Sequence, residues 1–215
     1  MVSASIIIPA HNEEKYITST LDALQNKNAA EEIIVVCNGC KDKTENIASQ
    51  YTKKVFSLSE GNVSRARNKG AQEARGNILI FLDADTIVSP HAIKTIKDQL
   101  EKGSFFGTLH AKPDQKKISL FLYCFIKNTM NTFYPWANGI LFCRKEDFYK
   151  TGGFNPARKQ GEWREFYKQI KKYSTYKKIK MSYVITSSRR IQAWGIKNML
   201  LFWLFTKKRE YVPIR

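Results

Sequence analysis

Two carboxylates separated by one residue, Asp83 and Asp85, directly follow the strongly apolar stretch 78–82. Carboxylates this close repel each other unless a cation lies beside them. Hard divalent cations prefer oxygen ligands and leave coordination positions open for substrate phosphates. The pair therefore predicts a site for Mn²⁺ or Mg²⁺ that also receives a phosphate-bearing substrate, with two solvated turn carboxylates as the alternative.

Short strands alternating with helices would position this pair. Apolar stretches suited to buried strands alternate with helical patterns, the strands at 5–8, 33–36, 55–58 and 78–82 and the helices at 12–25, 42–51 and 63–74. Such alternation predicts an α/β fold with a mainly parallel sheet and helices on both faces. Ligands of such sheets bind beyond the carboxyl ends of the strands. Residues 9–12, 37–39 and 83–85 would converge there.

The second half of the chain is less regular. We predict a strand over 138–143, a helix over 161–173 and a final helix over 191–206, and we find no internal repeat or low-complexity linker. One α/β domain over 1–190 is therefore expected. Its first half would span 1–110 and its second half 111–190, with an amphipathic, basic helix at 191–215 following them.

Positive charge is concentrated towards the end of the chain. The net charge is +17, and residues 156–215 hold 16 Lys and Arg against 3 Asp and Glu. This imbalance predicts an anionic partner, namely nucleic acid, a phospholipid surface or a phosphorylated substrate. A solvated basic face is the alternative. The hydrophobic content of 43% argues against global disorder.

The expected location is cytoplasmic, because no signal-peptide pattern and no apolar run near ~20 residues is present. Residues 199–205 are seven consecutive apolar residues, and Lys207, Lys208 and Arg209 follow them. This pattern predicts peripheral docking on an anionic membrane, at its inner face. Packing of the same run on the domain core is the alternative.

Four cysteines in such a chain are expected to be reduced thiols. Cys37 and Cys40 form a C-x-x-C pair, but no second pair with metal-ligand spacing accompanies them. We therefore interpret them as cysteines of a strand end and a turn rather than as a zinc or redox pair.

Four segments of the chain, in order, resemble the family-2 glycosyltransferases. They are IIIPAHNEE at 6–14, EIIVVCNGCKDKT at 32–44, RARNKGA at 65–71 continuing to FLDAD at 81–85, and Asn138-Gly139 with Arg144 and GGF at 152–154. The resemblance implies a GT-A (Rossmann-like) fold and a divalent metal. It also implies a nucleotide diphosphate-sugar donor and inversion by single displacement, with 1–110 as the nucleotide-binding half of the domain and 111–190 as its acceptor half. We expect a UDP-sugar, with a GDP-sugar as the alternative.

The resemblance also assigns roles to individual residues. It places Pro9, Ala10 and Glu13 beside the nucleoside, Asn38 at the base, Asp83 at the ribose or metal, Asp85 at the metal, and Arg67 at the nucleotide phosphate or base. An asparagine can donate or accept a hydrogen bond, so Asn38 could pair with a pyrimidine edge. For Arg67, a solvated helix face is the alternative.

The acceptor helix departs from the family pattern. The family begins this helix with Glu-Asp and uses the Asp as general base, whereas Trp163 occupies the corresponding position here. An alcohol is a poor nucleophile and needs a base. The sequence leaves Glu162 and Glu165 as candidates, which would share a helix face. The alternative is that both are surface charges, with Glu165 paired to Lys168.

Arg189 and Arg190, which follow two serines, form the remaining cluster. Guanidinium groups beside hydroxyls suit a diphosphate or a phospholipid headgroup. A basic strand end is the alternative.

The function expected from these features is sugar transfer to a lipid-linked or saccharide acceptor of a cell-surface glycan, with no nucleic-acid partner. Three alternatives remain at this point. A nucleotidyltransferase would need a glycine-rich phosphate loop near the first strand, which is missing. A basic nucleic-acid-binding protein explains the charge but not the ordered strand-end motifs. A degenerate transferase would bind the donor without turnover, as the missing Glu-Asp pair suggests.

Overall fold

The structure is a computed structural model. It describes residues 3–27, 32–133, 137–158, 161–189, 191–193 and 195. All statements below concern these residues.

Eight strands form one continuous sheet. They are β1 (Ala4–Ala10), β2 (Glu32–Asn38), β3 (Val55–Leu58), β4 (Ile78–Leu82), β5 (Thr86–Val88), β6 (Phe105–Pro113), β7 (Ile140–Arg144) and β8 (Thr175–Thr186). Their order across the sheet is β3-β2-β1-β4-β7-β6-β8-β5. Strands β1 to β4 pair in parallel, as do β6 and β8, whereas β7 runs antiparallel to β4 and β6, and β5 antiparallel to β8.

Seven helices connect the strands in the described residues. They are α1 (Ile17–Lys27), α2 (Thr44–Ser49), α3 (Val63–Glu73), α4 (Ala92–Glu101), α5 (Ile118–Phe133), α6 (Lys145–Lys150) and α7 (Glu162–Ile170). The predicted α/β fold, with a mainly parallel sheet covered on both faces, is confirmed.

Each face of the sheet has its own hydrophobic core. Alternate residues of β1 point to opposite faces, so Ile6 and Ile8 join one core with α1 and α4, while Ile7 joins the other with α3, α6 and α7. Because both faces are buried, the central strands are continuous apolar runs, and all five residues of β4 are buried. The polar residues therefore lie at the ends of these strands.

The second half contains strands that the sequence pattern did not predict. β8 is 12 residues long, and its first half is largely exposed or half-buried and contains three lysines. A register irregularity interrupts its pairing with β6 after Leu109. The predicted helix at 12–25 begins only at Ile17, because a turn precedes it. Residues 191–193 are helical, and the rest of the predicted final helix lies almost entirely outside the described residues.

Candidate active site

The backbone of Asp83-Ala84-Asp85 is held at the carboxyl end of β4. The amide N–H of Asp83 donates to the carbonyl of Gly139 at 2.8 Å, and the hydroxyl of Thr20 donates to the carbonyl of Ala84 at 2.8 Å. The segment is thus fixed from the β7 side and from α1. The carboxylates of Asp83 and Asp85 remain 42% and 19% exposed.

Arg67 joins two of the predicted site residues. Its Nη1 donates to Glu162 Oε1 at 3.0 Å, and its Nη2 lies 3.4 Å from Asp83 Oδ1. The arginine side chain is only 4% exposed. Its guanidinium carbon lies 4.0 Å from the ring centre of Trp163 and 5.2 Å from that of Phe154. Two carboxylates and two aromatic rings therefore surround one buried positive charge, which suits a guanidinium better than an ammonium.

Close packing of α3 on the sheet places Arg67 at this point. A side chain on Gly70 would come within 2.3 Å of Ile7, so the glycine allows α3 to lie directly against β1. Asn68, the next residue after Arg67, donates to the carbonyl of Phe154 at 2.7 Å and accepts from its N–H at 2.9 Å. This pair of bonds fixes the 152–154 turn, and with it the Phe154 ring, against α3.

Arg189 forms a second cluster. Its two terminal nitrogens each donate to a carboxylate oxygen of Glu13 at 2.7 Å, and Nη2 lies 3.0 Å from Asp85 Oδ2. The guanidinium carbon lies 4.9 Å from the centre of the Tyr16 ring. Burial alone would lower the pKa of Arg189, but the bonds to Glu13 and the charge of Asp85 outweigh it and raise the pKa. The segment after β8 thus brings a permanent positive charge to Asp85.

The ends of β1 and β2 build a polar edge beside these clusters. The His11 ring nitrogen bonds to the carbonyl of Asn38, and the Asn38 side-chain oxygen accepts from the N–H of Asn62. Gly39 has a φ of +69° and lies so close to Gly61 that a side chain would meet its backbone nitrogen at 2.9 Å. A flat, glycine-lined edge with a histidine ring suits a nucleobase.

Two cysteines lie at the same edge, Cys37 buried at the end of β2 and Cys40 in the turn. Cys40 donates its thiol hydrogen to the carbonyl of Ala10 at 3.3 Å. A hydrogen bond from Cys37 lowers the pKa of Cys40 to about 7. The predicted strand-end and turn positions of this pair are confirmed.

The two carboxylates of the D-x-D segment could supply part of the coordination of a divalent cation, with substrate phosphates supplying more of it. Within the described part of the chain, no group of three or more His, Cys, Asp or Glu side chains could hold a metal. Asp83 and Asp85 supply oxygen ligands only, which hard cations prefer, and such cations commonly bind through one or two carboxylates plus substrate phosphates. Asp85 already faces a positive group, Arg189, in this structure.

The two candidate bases occupy different environments. Glu162 is 13% exposed and bonds to Arg67 within the site. Glu165 is 31% exposed and bonds instead to Asn155 at 3.0 Å and Arg158 at 2.8 Å. These two partners lower the pKa of Glu165. Of the two carboxylates, only Glu162 is bonded to the Arg67 cluster.

Most of the predicted site residues meet at one edge of the sheet. Asp83, Arg67 and Glu162 belong to one cluster, and Asp85, Glu13 and Arg189 to the other, while Pro9, Ala10 and Asn38 end the neighbouring strands. Arg190 lies outside the described residues. Sequence reasoning missed the aromatic partner Tyr16, for which motif spacing gives no signal, and it named Phe154 only as part of the GGF motif, without a role at Arg67.

The fold and the site together define a GT-A type α/β domain with a strand-end D-x-D segment. The family model "Glycosyl transferase family 2" matches residues 5–182. The chain belongs to this family, which confirms the resemblance inferred from its motifs.

Curated relatives agree with this assignment. The chain is 34% identical over 104 residues to "Uncharacterized glycosyltransferase EpsJ" of Bacillus subtilis (strain 168), covering 46% of this chain and 30% of the relative. It is 29% identical over 177 residues to the 4,4'-diaponeurosporenoate glycosyltransferase of Staphylococcus aureus (strain bovine RF122 / ET3-1), covering 72% and 47%. The chain thus spans less than half the length of these relatives.

Solved structures of S. aureus TarS share the fold. The TarS 1–349 complex with UDP superposes with a TM-score of 0.69 at 17% identity, covering 97% of this chain and 67% of that chain. The complex with UDP-GlcNAc gives 0.67 at 20% identity, covering 86% and 58%. In the part of this chain that the structure describes, no helix is both long and apolar enough to cross a bilayer.

Proposed function

We propose that this domain transfers a sugar from a UDP-sugar to a hydroxyl acceptor, with inversion at the anomeric carbon. The observation that carries the proposal is the bridge through Arg67, which links the D-x-D residue Asp83 to the carboxylate of Glu162. One buried guanidinium thus contacts both a residue of the proposed donor site and the proposed base. Family membership supports sugar transfer as the reaction class.

Glu162 is the proposed general base. In a single displacement, the acceptor oxygen bonds to the anomeric carbon as the bond from that carbon to the diphosphate breaks. The acceptor proton passes to Glu162, and UDP departs. The ion pair with Arg67 fixes the orientation of the Glu162 carboxylate, and the Trp163 ring packs on the same guanidinium. A positioned base of this kind contributes about 10²–10⁴-fold.

UDP is the proposed nucleotide because the TarS relatives of known structure bind UDP and UDP-GlcNAc. The edge formed by His11, Asn38 and Gly39 would receive the base, with Pro9 and Ala10 beside it. Bound at Asp85 and Asp83, a Mn²⁺ or Mg²⁺ ion would place positive charge against the diphosphate, whose negative charge grows as it leaves. Arg189, once released from Asp85, is the proposed second partner of the diphosphate.

The proposed acceptor is a lipid-linked saccharide or a precursor of a cell-surface glycan. The names of two relatives support this class, one naming 4,4'-diaponeurosporenoate and the other poly(ribitol-phosphate). The net charge of +17 suits an acceptor that carries phosphate or lies on an anionic surface. A cytoplasmic domain in contact with the inner face of the membrane would meet such an acceptor. The predicted docking run, 199–205, lies outside the described residues.

Donor binding and turnover test the proposal together. We expect UDP to raise the melting temperature in the presence of Mn²⁺, GDP to do so less, and a panel of UDP-sugars to identify one that is turned over, with UDP release as the readout. Asp85→Asn should abolish turnover, because it removes the proposed metal ligand, while the fold stays intact.

Asp98→Asn is the matched control, because Asp98 is an exposed carboxylate on α4, and it should behave as wild type. Full activity of Asp85→Asn, or of the wild type in excess chelator, would contradict the metal site. Tight UDP binding without turnover on any acceptor would instead favour a domain that only binds the donor.

A further inference from the structure

One face of α5 is apolar and open to solvent. Ile118, Phe121, Leu122 and Phe125 are 88%, 52%, 58% and 68% exposed. Their spacing of three, one and three residues places them on a single helix face. Half of the eight large hydrophobic residues that the described structure leaves exposed lie on this one helix. Scattered exposed apolar residues are ordinary, whereas such a contiguous patch marks an interaction site.

The opposite face of α5 is fixed to the domain, so the apolar face points outward. Leu120, Tyr123 and Cys124 are buried. Asn128 is also buried, and its side chain accepts from the N–H of Ala111 at 3.0 Å and donates to the carbonyl of that residue at 2.8 Å. These bonds lock the helix against β6 and leave the apolar face without a covering element in the described residues.

The charge around this face is mainly positive, with Asp114 as the one nearby carboxylate in the segment that leads into the helix. No Asp or Glu occurs from residue 115 to residue 145, a stretch that contains the whole of α5. Lys112, Lys116 and Lys117 are exposed immediately before the helix, and Lys127 lies within it. A face with aromatic and aliphatic residues, flanked by four lysines against the single Asp114, has the composition of an interfacial helix on an anionic bilayer.

We propose that the outer face of α5 docks the domain on an anionic membrane surface, with Phe121 and Phe125 inserted among the headgroups. At 16 residues the helix is shorter than the ~20 needed to span a bilayer, which favours contact in the plane of the membrane. The flanking lysines favour an anionic lipid surface over a second copy of the chain as the partner of this face, because two copies would bring like charges together.

This contact would place the active site near the membrane. The N–H of Ser188 donates to Asp114 Oδ2 at 3.0 Å, so the segment that follows β8 lies beside the start of α5. Arg189, the next residue, contacts Glu13 and Asp85 in the site. The inference extends the proposed membrane location and does not depend on the transfer chemistry.

Flotation with vesicles tests the proposal. The full chain should float with vesicles of equal parts phosphatidylglycerol and phosphatidylcholine, less so as salt is added, and not with pure phosphatidylcholine. Phe121→Ser/Phe125→Ser should lower the vesicle–water partition coefficient about tenfold or more, because the two rings that would insert among the headgroups are lost. Tyr149→Ser/Tyr173→Ser removes two rings that are 49% and 47% exposed elsewhere and should change it less than about twofold.

Two further measurements separate the possible failures. Melting temperature and UDP binding of each variant show that the fold and the donor site survive. If the full chain ignores anionic vesicles at low salt, both the membrane location and the α5 surface are overturned. If Phe202→Ser/Phe205→Ser abolishes flotation while the α5 variant floats normally, α5 is not the docking surface. If light scattering shows that the full chain is a dimer, the chain does not bind vesicles and the α5 variant is a monomer, α5 is a self-association surface instead.

Discussion

Two arginines, Arg67 and Arg189, divide the carboxylates of the site between them, and they are held very differently. Arg67 lies on α3, is 4% exposed, and is packed under Trp163 with Asn68 anchoring the neighbouring turn. Arg189 follows the last strand and is 23% exposed. Its carboxylate partners come from two other strand ends, at Glu13 and Asp85.

The buried Arg67 therefore has a structural role, whereas the ion pairs of the more exposed Arg189 could be exchanged for other partners. Removing Arg67 would leave Glu162 buried beside a hole in an aromatic cluster, which costs stability as well as function. Removing Arg189 leaves carboxylates that a bound divalent cation could neutralise. In the proposed function, the first cluster therefore serves the acceptor chemistry, and Arg189 exchanges Asp85 for the diphosphate when the donor binds.

Among the variants that test this comparison, Glu162→Gln is expected to have the largest effect on turnover. It keeps the size of the side chain but cannot accept the proton. It should lower kcat about 10²-fold or more while UDP binding survives, a size set by typical general-base contributions. Glu165→Gln is the matched control on the same helix and should turn over normally, because Glu165 bonds to Asn155 and Arg158 instead. Initial rates at saturating donor check both variants. Normal turnover of Glu162→Gln would place the base elsewhere.

A smaller effect, on both stability and rate, is expected from Arg67→Met. The substitution leaves Glu162 without its partner and removes the guanidinium under Trp163. The free energy of unfolding should fall by about 3 kcal/mol, the lower end for a broken buried ion pair, because Glu162 is 13% exposed. The value of kcat should also fall. Denaturant unfolding measures the first quantity.

Arg65→Met provides the control for Arg67, since Arg65 lies on the same helix but is 58% exposed and pairs only with exposed Glu60, at 3.5 Å. Such surface pairs contribute roughly 0–1 kcal/mol. Equal losses of stability in the two variants would remove the distinction between a buried structural arginine and an ordinary surface one.

The smallest effect is expected from Arg189→Ala. Mn²⁺ should bind the donor-free domain of this variant a few-fold more tightly, because the guanidinium of Arg189 no longer pairs with Asp85 and competes with the ion. UDP should bind more weakly once the metal is present, because a diphosphate partner is lost. Manganese titration followed by electron paramagnetic resonance measures the first, and calorimetry the second. Unchanged manganese affinity would mean that Arg189 and the metal do not share Asp85.

The first half of the fold could be predicted closely from the sequence. The strand bounds 55–58 and 78–82 were predicted as observed, and the chain-order motifs placed the D-x-D pair and the ends of β1 and β2 at one edge. This succeeded because parallel strands with both faces buried leave continuous apolar runs, and because each polar cluster directly follows its own strand.

The second half could not be predicted in the same way, because its contacts join distant parts of the chain. Arg67 and Glu162 are 95 residues apart, and Arg189 and Glu13 are 176 apart. Spacing within a motif carries no information on such pairs, so the choice between Glu162 and Glu165 needed the fold. β8 escaped prediction because lysines occupy its exposed positions and dilute the strand pattern.

The hydrogen bond from the N–H of Asp83 to the carbonyl of Gly139 bears on how such a domain can diversify. It is a main-chain bond between the first and second halves of the domain, so among substitutions at residue 83 only proline, which has no backbone N–H, would delete it. Gly139 has a φ of +80°, and an added side chain would come within 2.3 Å of Thr86, so residue 139 is constrained as well. New acceptor specificities would therefore have to arise away from this junction, on surfaces that can vary without moving the D-x-D segment.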